Sequence, residues 1–155
     1  MILWLLLMSA AAATQHAHPT DRAQHAMGFD QHKTTHHFHL ESGGGTIEVT
    51  ANDPSDAASR DQIRTHLKHI ATAFQAGDFN LPFLVHATEP PGVSVMRERR
   101  ATLTYRFEDV SAGAKVVIRT TDAAAKNALH DFLRFQIREH RTGDPLKVPD
   151  RGKSR

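Results

Sequence analysis

The chain contains no cysteine. Disulfides and thiolate metal sites are thereby excluded, so the fold must stand on its apolar core and any side-chain ligation falls to histidine, carboxylate or methionine. An excess of one charge sign is also lacking: 19 Lys and Arg against 17 Asp and Glu give a formal net charge of +2, interspersed along the chain. No basic stripe follows from that mixture, and a nucleic-acid partner is not expected. Sequence motifs of high chemical specificity are missing as well. There is no nucleophile elbow, no H-E-x-x-H helix and no P-loop, and Gly43-Gly44-Gly45 lies between two strand patterns, where it reads as a hairpin turn and not as a phosphate cradle. No catalytic residue is assigned on these grounds. An enzyme would need a concave site in which a perturbed histidine meets a positioned partner.

Long hydrophobic runs are absent too. The N-terminal stretch Ile2-Leu3-Trp4-Leu5-Leu6-Leu7-Met8 passes into Ser9 and the alanines 10–13, well short of the roughly 20 apolar residues that span a bilayer. An apolar segment followed by small residues is the order of a signal peptide, and Ala11-Ala12-Ala13 places cleavage before Thr14. Residues 1–13 are thus expected to be removed, leaving a periplasmic or secreted protein with no stable membrane anchor.

With 155 residues there is room for one domain. Residues 14–32 are polar, rich in Ala, His and Gln and without apolar period, so a disordered leader is expected there and order from about Lys33. Thr34 to Leu40 alternates, with His36, Phe38 and Leu40 on one face and Thr35, His37 and His39 on the other. A turn through Ser42 to Gly45 returns the chain as a strand over 46–51. Asp53 and Pro54 then predict a helix start, with Ile63, Leu67, Ile70 and Phe74 as its buried stripe and its end before Gly77. Residues 78–98 hold Pro82, Pro90, Pro91 and Gly92 and read as a structured loop.

A similar pattern follows. Strands over 101–108 and 115–121 precede a helix capped by Asp122, which buries Ala125, Leu129, Phe132, Leu133 and Ile137 and ends near Arg141. Ile63-x-x-x-Leu67 parallels Leu129-x-x-x-Leu133. The expected fold is α+β: a duplicated ββα unit forming a four-stranded antiparallel sheet with two helices on one face, one domain over 33–148, and a frayed tail over 149–155.

The strings Met27-Gly28-Phe29-Asp30-Gln31, Lys33-Thr34-Thr35-His36-His37-Phe38, Pro90-Pro91-Gly92-Val93 and Phe132-Leu133-Arg134-Phe135-Gln136-Ile137-Arg138-Glu139-His140 resemble a group of short exported bacterial hypothetical proteins. The resemblance covers most of residues 27–148 and implies kinship without an established activity. The aspartate carbamoyltransferase name carried by some of the group does not transfer, because this chain is far too short and has no Ser-Thr-Arg-Thr phosphate loop.

What the chain has in quantity is histidine, twelve in all. An exported, cysteine-free, histidine-rich chain suits copper or zinc handling, since neutral imidazole binds both ions. His16 would stand third after cleavage, where amine, amides and ring offer four in-plane nitrogens to Cu(II). His37 and His39 share the solvent side of their strand, while His36 faces inward with Phe38. His66 and His69 are neighbours on the first helix, and His66 also borders its apolar stripe. His86 lies in the Pro-rich segment. His140 ends the last helix, where a cation would meet the helix dipole favourably. His130 reads as exposed, Met96 as a core filler, and Glu139 and Asp144 as solvated. Each histidine also has a plain structural reading as a cap, a filler or a solvated side chain. The favoured function is metal binding through these histidines. The alternative is a non-enzymatic module that binds a peptide or protein through the open sheet face or the 78–98 segment.

Overall fold

The computed structural model describes residues 28–150. The expected signal peptide, most of the leader with His16, and residues 151–155 lie outside the described residues.

Alternation of apolar and polar side chains builds the sheet. Strand β1 (Thr34–Glu41) turns tightly through Ser42 and Gly43 into β2 (Gly44–Ala51), so Gly44 and Gly45 belong to the strand and not to the expected turn. Later, β3 (Thr104–Val110) and β4 (Gly113–Arg119) form a second hairpin. Strand β3 starts three residues later than the sequence suggests, because Arg100–Thr102 form a 3-10 turn ahead of it, and β4 starts two residues earlier. The sheet is four-stranded and antiparallel in the order β1-β2-β4-β3. One row across it reads Phe38, Ile47, Val116, Phe107, each paired with the next.

Helix α1 (Ala57–Gln75) starts three residues later than the sequence suggests. Asp53 is taken by a local turn, in which its carboxylate accepts from the Ser55 N–H at 2.9 Å and the Ser55 hydroxyl at 2.7 Å. Asp56 therefore caps the helix by accepting the Ser59 N–H at 3.0 Å. Helix α4 (Ala123–His140) is capped as expected, Asp122 accepting the Ala125 N–H at 2.8 Å. The stripe Ile63, Leu67, Ile70, Phe74 of α1 meets Leu129, Phe132, Leu133 and Ile137 of α4 in one core, with Met96 wholly enclosed. Each long helix leans on the other hairpin: α1 packs mainly on β4 and β3, α4 on β1 and β2.

The segment over 78–98 is not a loop alone, since it forms α2 (Asn80–His86) and α3 (Val93–Glu98). Pro82 falls in the first turn of α2, where its missing N–H would have had no helical acceptor. Pro90 and Pro91 occupy the link. Gly92 has φ of 87°, and a Cβ there would lie 2.0 Å from the Ala128 carbonyl oxygen of α4, so glycine is what lets α3 press against that helix. Order also reaches further toward the N-terminus than Lys33: Phe29 is a core residue, 2% exposed, on the strength of its contacts with His36 and His66. No helix among the described residues is long and apolar enough to cross a membrane.

Candidate functional site

Between the sheet, α1, α4 and α2 lies a cavity of about 70 Å³. Its walls are apolar, with Phe38 and Ile47 from the sheet, Leu67 and Phe74 from α1, Val85 from α2 and Phe132 from α4. Five polar side chains break that surface: His36, His66, His86, Gln136 and His140. Periodicity explains their presence. His36 precedes Phe38 by two on a strand and so shares its face, while Gln136 and His140 continue the buried stripe of α4 at steps of three and four. His86 closes α2, which carries it to the cavity as the last turn of that helix.

The rings lie close together. His36 and His140 stack with centroids 5.1 Å apart and planes at 25°, and His86 stands edge-on to His140 at 5.4 Å. His66 meets Phe29 edge-on at 5.3 Å, and Phe29 stacks on His36 at 5.8 Å. His86 Nε2 lies 3.0 Å from Gln136 Oε1, with its Nδ1 4.0 Å from a Glu139 carboxylate oxygen. The Gln136 amide nitrogen is buried without a hydrogen-bond partner. Among the described residues, none of the hydrogen bonds formed uses a ring nitrogen of His36, His66 or His140.

Burial governs the protonation of this group. It pushes His36 down to about 3, helped by the like charges that His140, His66 and His37 would carry. Burial likewise lowers His66 to about 4, with His69 adding to it, and His140 to about 4, with His86 adding to it. The helix-end reading of His140 as a cation is therefore corrected: desolvation outweighs the attraction of the helix C-terminus, and the ring is neutral near pH 7.

Such a site can offer lone pairs to a Lewis acid or hydrogen bonds to a small ligand. One water needs about 10–15 Å³ and benzene fills a void of about 150 Å³, so a few waters or a ligand of few heavy atoms fit here. The lining contains no hydroxyl and no carboxylate, so imidazole is the nucleophilic group it offers. His36 and His140 stack with their faces, not their nitrogens, toward each other. Among the described residues no group of three or more His, Asp or Glu is arranged to hold a metal ion.

The remaining candidates lie elsewhere. His37 and His39 are on the opposite face of the sheet, stacked at 5.9 Å and 13°. His69 is exposed on α1. His130, expected to be exposed, is 7% exposed, and its Nε2 lies 2.9 Å from the Gly44 carbonyl oxygen and 3.1 Å from that of Glu41, tying α4 to the first hairpin. Asp144, expected in solvent, has a side chain only 8% exposed. Its carboxylate accepts the Phe38 N–H at 2.9 Å and the Thr142 hydroxyl at 2.6 Å and meets His37 Nδ1 at 2.9 Å. Burial pushes Asp144 up, but these hydrogen bonds hold its carboxyl below the usual range on balance.

Sequence reasoning missed Gln136, Phe29, His130 and Asp144. Only Gln136 had a visible signal, as a polar residue on an otherwise apolar helical stripe. Compared with protein-family profiles, curated proteins and solved structures, the chain matches none.

Proposed function

We propose that this is an exported metal-handling protein that binds copper or zinc through histidine, with His36, His86 and His140 as the principal ligands and His66 at their edge. The observation that carries the reading is that His36 and His140, kept neutral by burial, border one cavity with His86, while no hydrogen bond among the described residues uses their ring nitrogens. Neutral imidazole is the ligating form, and in the same cavity the buried Gln136 amide nitrogen, without a hydrogen-bond partner, calls for a ligand or water. The spacing is suitable: two imidazoles on one tetrahedral ion have ring centres about 5 Å apart, against 5.1 and 5.4 Å here. Ligation requires His36 and His140 to turn out of their stack, and the Gln136 amide is then placed to bind the ion's remaining water.

Support for the architecture behind this reading comes from two parallels. Phe38 and Phe107 end the same sheet row, and Ile63 and Leu67 match Leu129 and Leu133, as a duplicated ββα unit with both long helices on one face would require. Export and kinship with the short bacterial group stand on the N-terminal residues and the shared strings, and belong to the same proposal.

The test is elemental analysis of untagged protein, then titration with Zn(II), Cu(II) and Cu(I) beside a His36→Leu/His140→Leu variant, whose substitutions keep the wall apolar. The variant is expected to bind at least tenfold more weakly. Equal affinity in parent and variant would remove the cavity from the function. A second reading, docking of a peptide or protein on the 78–98 segment, is favoured by Phe83 and Leu84 of α2, which are 48% and 56% exposed. Loss of partner binding in a Phe83→Ser/Leu84→Ser variant with unchanged metal affinity would support it.

A further inference from the structure

The solvent face of β1 carries a separate arrangement that the cavity does not use. His37 and His39 alternate with His36 and Phe38, so they stand on the far side of the sheet from the cavity. We propose that His37 and His39 form a second, surface site for a divalent borderline cation such as zinc, with Asp144 as the positioning residue. A strand places residues i and i+2 on one side about 7 Å apart along the chain, and the two rings, stacked at 5.9 Å and 13°, must turn out of that stack to aim their Nε2 atoms at one ion. That separation is within the reach of two imidazoles sharing one ion with metal–nitrogen bonds of about 2.0–2.1 Å.

Asp144 decides which nitrogen is available. Its carboxylate is ionised and held in place by the Phe38 N–H and the Thr142 hydroxyl, and an ionised carboxylate only accepts. The 2.9 Å contact therefore requires the proton on His37 Nδ1, leaving the lone pair on Nε2. A carboxylate behind a ligating histidine is the usual way in which ring orientation is set and basicity raised. Asp144 is itself anchored on β1, where it also blunts the unpaired edge of the sheet. A third donor lies nearby, to be drawn in as the rings turn, since no such group of three is preformed among the described residues. Glu48 lies directly opposite His37 across the β1–β2 ladder and joins no ion pair among the described residues, whereas the other charges of that face, Glu41, Arg106, Glu108, Lys115 and Arg119, pair with one another. His37, His39 and Glu48 supply two nitrogens and one oxygen, and water completes a zinc sphere.

The site is tested in the full chain by titrating Zn(II) while following the ring resonances of each histidine by NMR. The His37 and His39 Nε2 signals are expected to shift together with one common saturation curve. A His37→Ala/His39→Ala variant should lose one equivalent of zinc, and Asp144→Asn should weaken this equivalent about tenfold and free the His37 tautomer, as read by its ring nitrogen shifts. Retained backbone spectra in all variants separate ligation from folding. The inference is overturned if the two signals stay still at saturating zinc, if only one of them moves, or if Asp144→Asn leaves both affinity and tautomer unchanged. His36 and His140 are resolved in the same spectra, so failure of the cavity reading and failure of this site are read independently.

Discussion

His36 and His37 are neighbours in the chain and opposites in the structure. His36 faces Phe29, Phe38 and His140 beneath the sheet, with no hydrogen bond to its ring among the described residues and its proton affinity depressed by burial. His37 faces solvent with an ordered carboxylate at its Nδ1. One residue of strand alternation thus separates two kinds of imidazole chemistry, one governed by desolvation and the other by a charged partner. The comparison teaches that a histidine-rich stretch is not one site: its face of the sheet, more than its spacing, decides what each ring does.

Acid gives the largest expected effect, and the inner histidines respond to it before the carboxylates Asp53, Asp56, Asp122 and Asp144, which hydrogen bonds hold below their usual range. His36, His66 and His140 bind protons more weakly in the folded protein than the usual 6.5, at about 3, 4 and 4. As pH falls below 6.5 the unfolded chain takes up protons first, so stability is complete above about pH 7 and is lost between 6.5 and about 4. Each ring contributes a slope of up to about 1.4 kcal/mol per pH unit. Chemical denaturation of metal-free protein from pH 7.5 to 4 measures it, and His36→Leu should reduce the slope. A midpoint that stays constant from pH 7 to 4.5 would show that the inner rings are solvated after all.

Next in size is the floor of the cavity. Leu67 is 2% exposed and lines it, so Leu67→Ala should cost about 2–5 kcal/mol in equilibrium unfolding. A cost below about 0.5 kcal/mol, as at a surface position, would mean that α1 presents another face to the sheet.

Asp144→Ala tests the outer partner. It leaves the Phe38 N–H without its acceptor at a sheet edge, and a loss of about 1–3 kcal/mol is expected, with faster hydrogen exchange at Phe38. Unchanged exchange there would detach the 142–148 segment from β1. His39→Ala should have the smallest effect, within about 0.5 kcal/mol of the parent, because the ring is exposed on the open face and its ring contact is the stack on half-exposed His37. A larger loss would mean that the outer face is covered.

The long elements were legible because their signals are local. Alternation over Thr34 to Leu40 and the stripe Ile63, Leu67, Ile70, Phe74 follow from strand and helix period, and each long stripe is buried. Helix caps were half legible: Asp122 caps α4, whereas Asp53 was drawn into a turn with Ser55 and yielded the cap of α1 to Asp56. Proline content hid α2 and α3, since Pro82 in a first turn does not break a helix.

By itself, then, the sequence determined the absence of thiol chemistry, the number and type of the long elements and the division of β1 into an inward His36 and outward His37 and His39, all properties of composition and period. Only the tertiary structure decided which histidines meet. His36, His86 and His140 are brought to one cavity from three separate elements, His130 is buried by carbonyls at the end of the first hairpin, and Asp144 reaches His37 across 107 positions of chain. Such proximities arise from packing many side chains at once, and no local pattern encodes them.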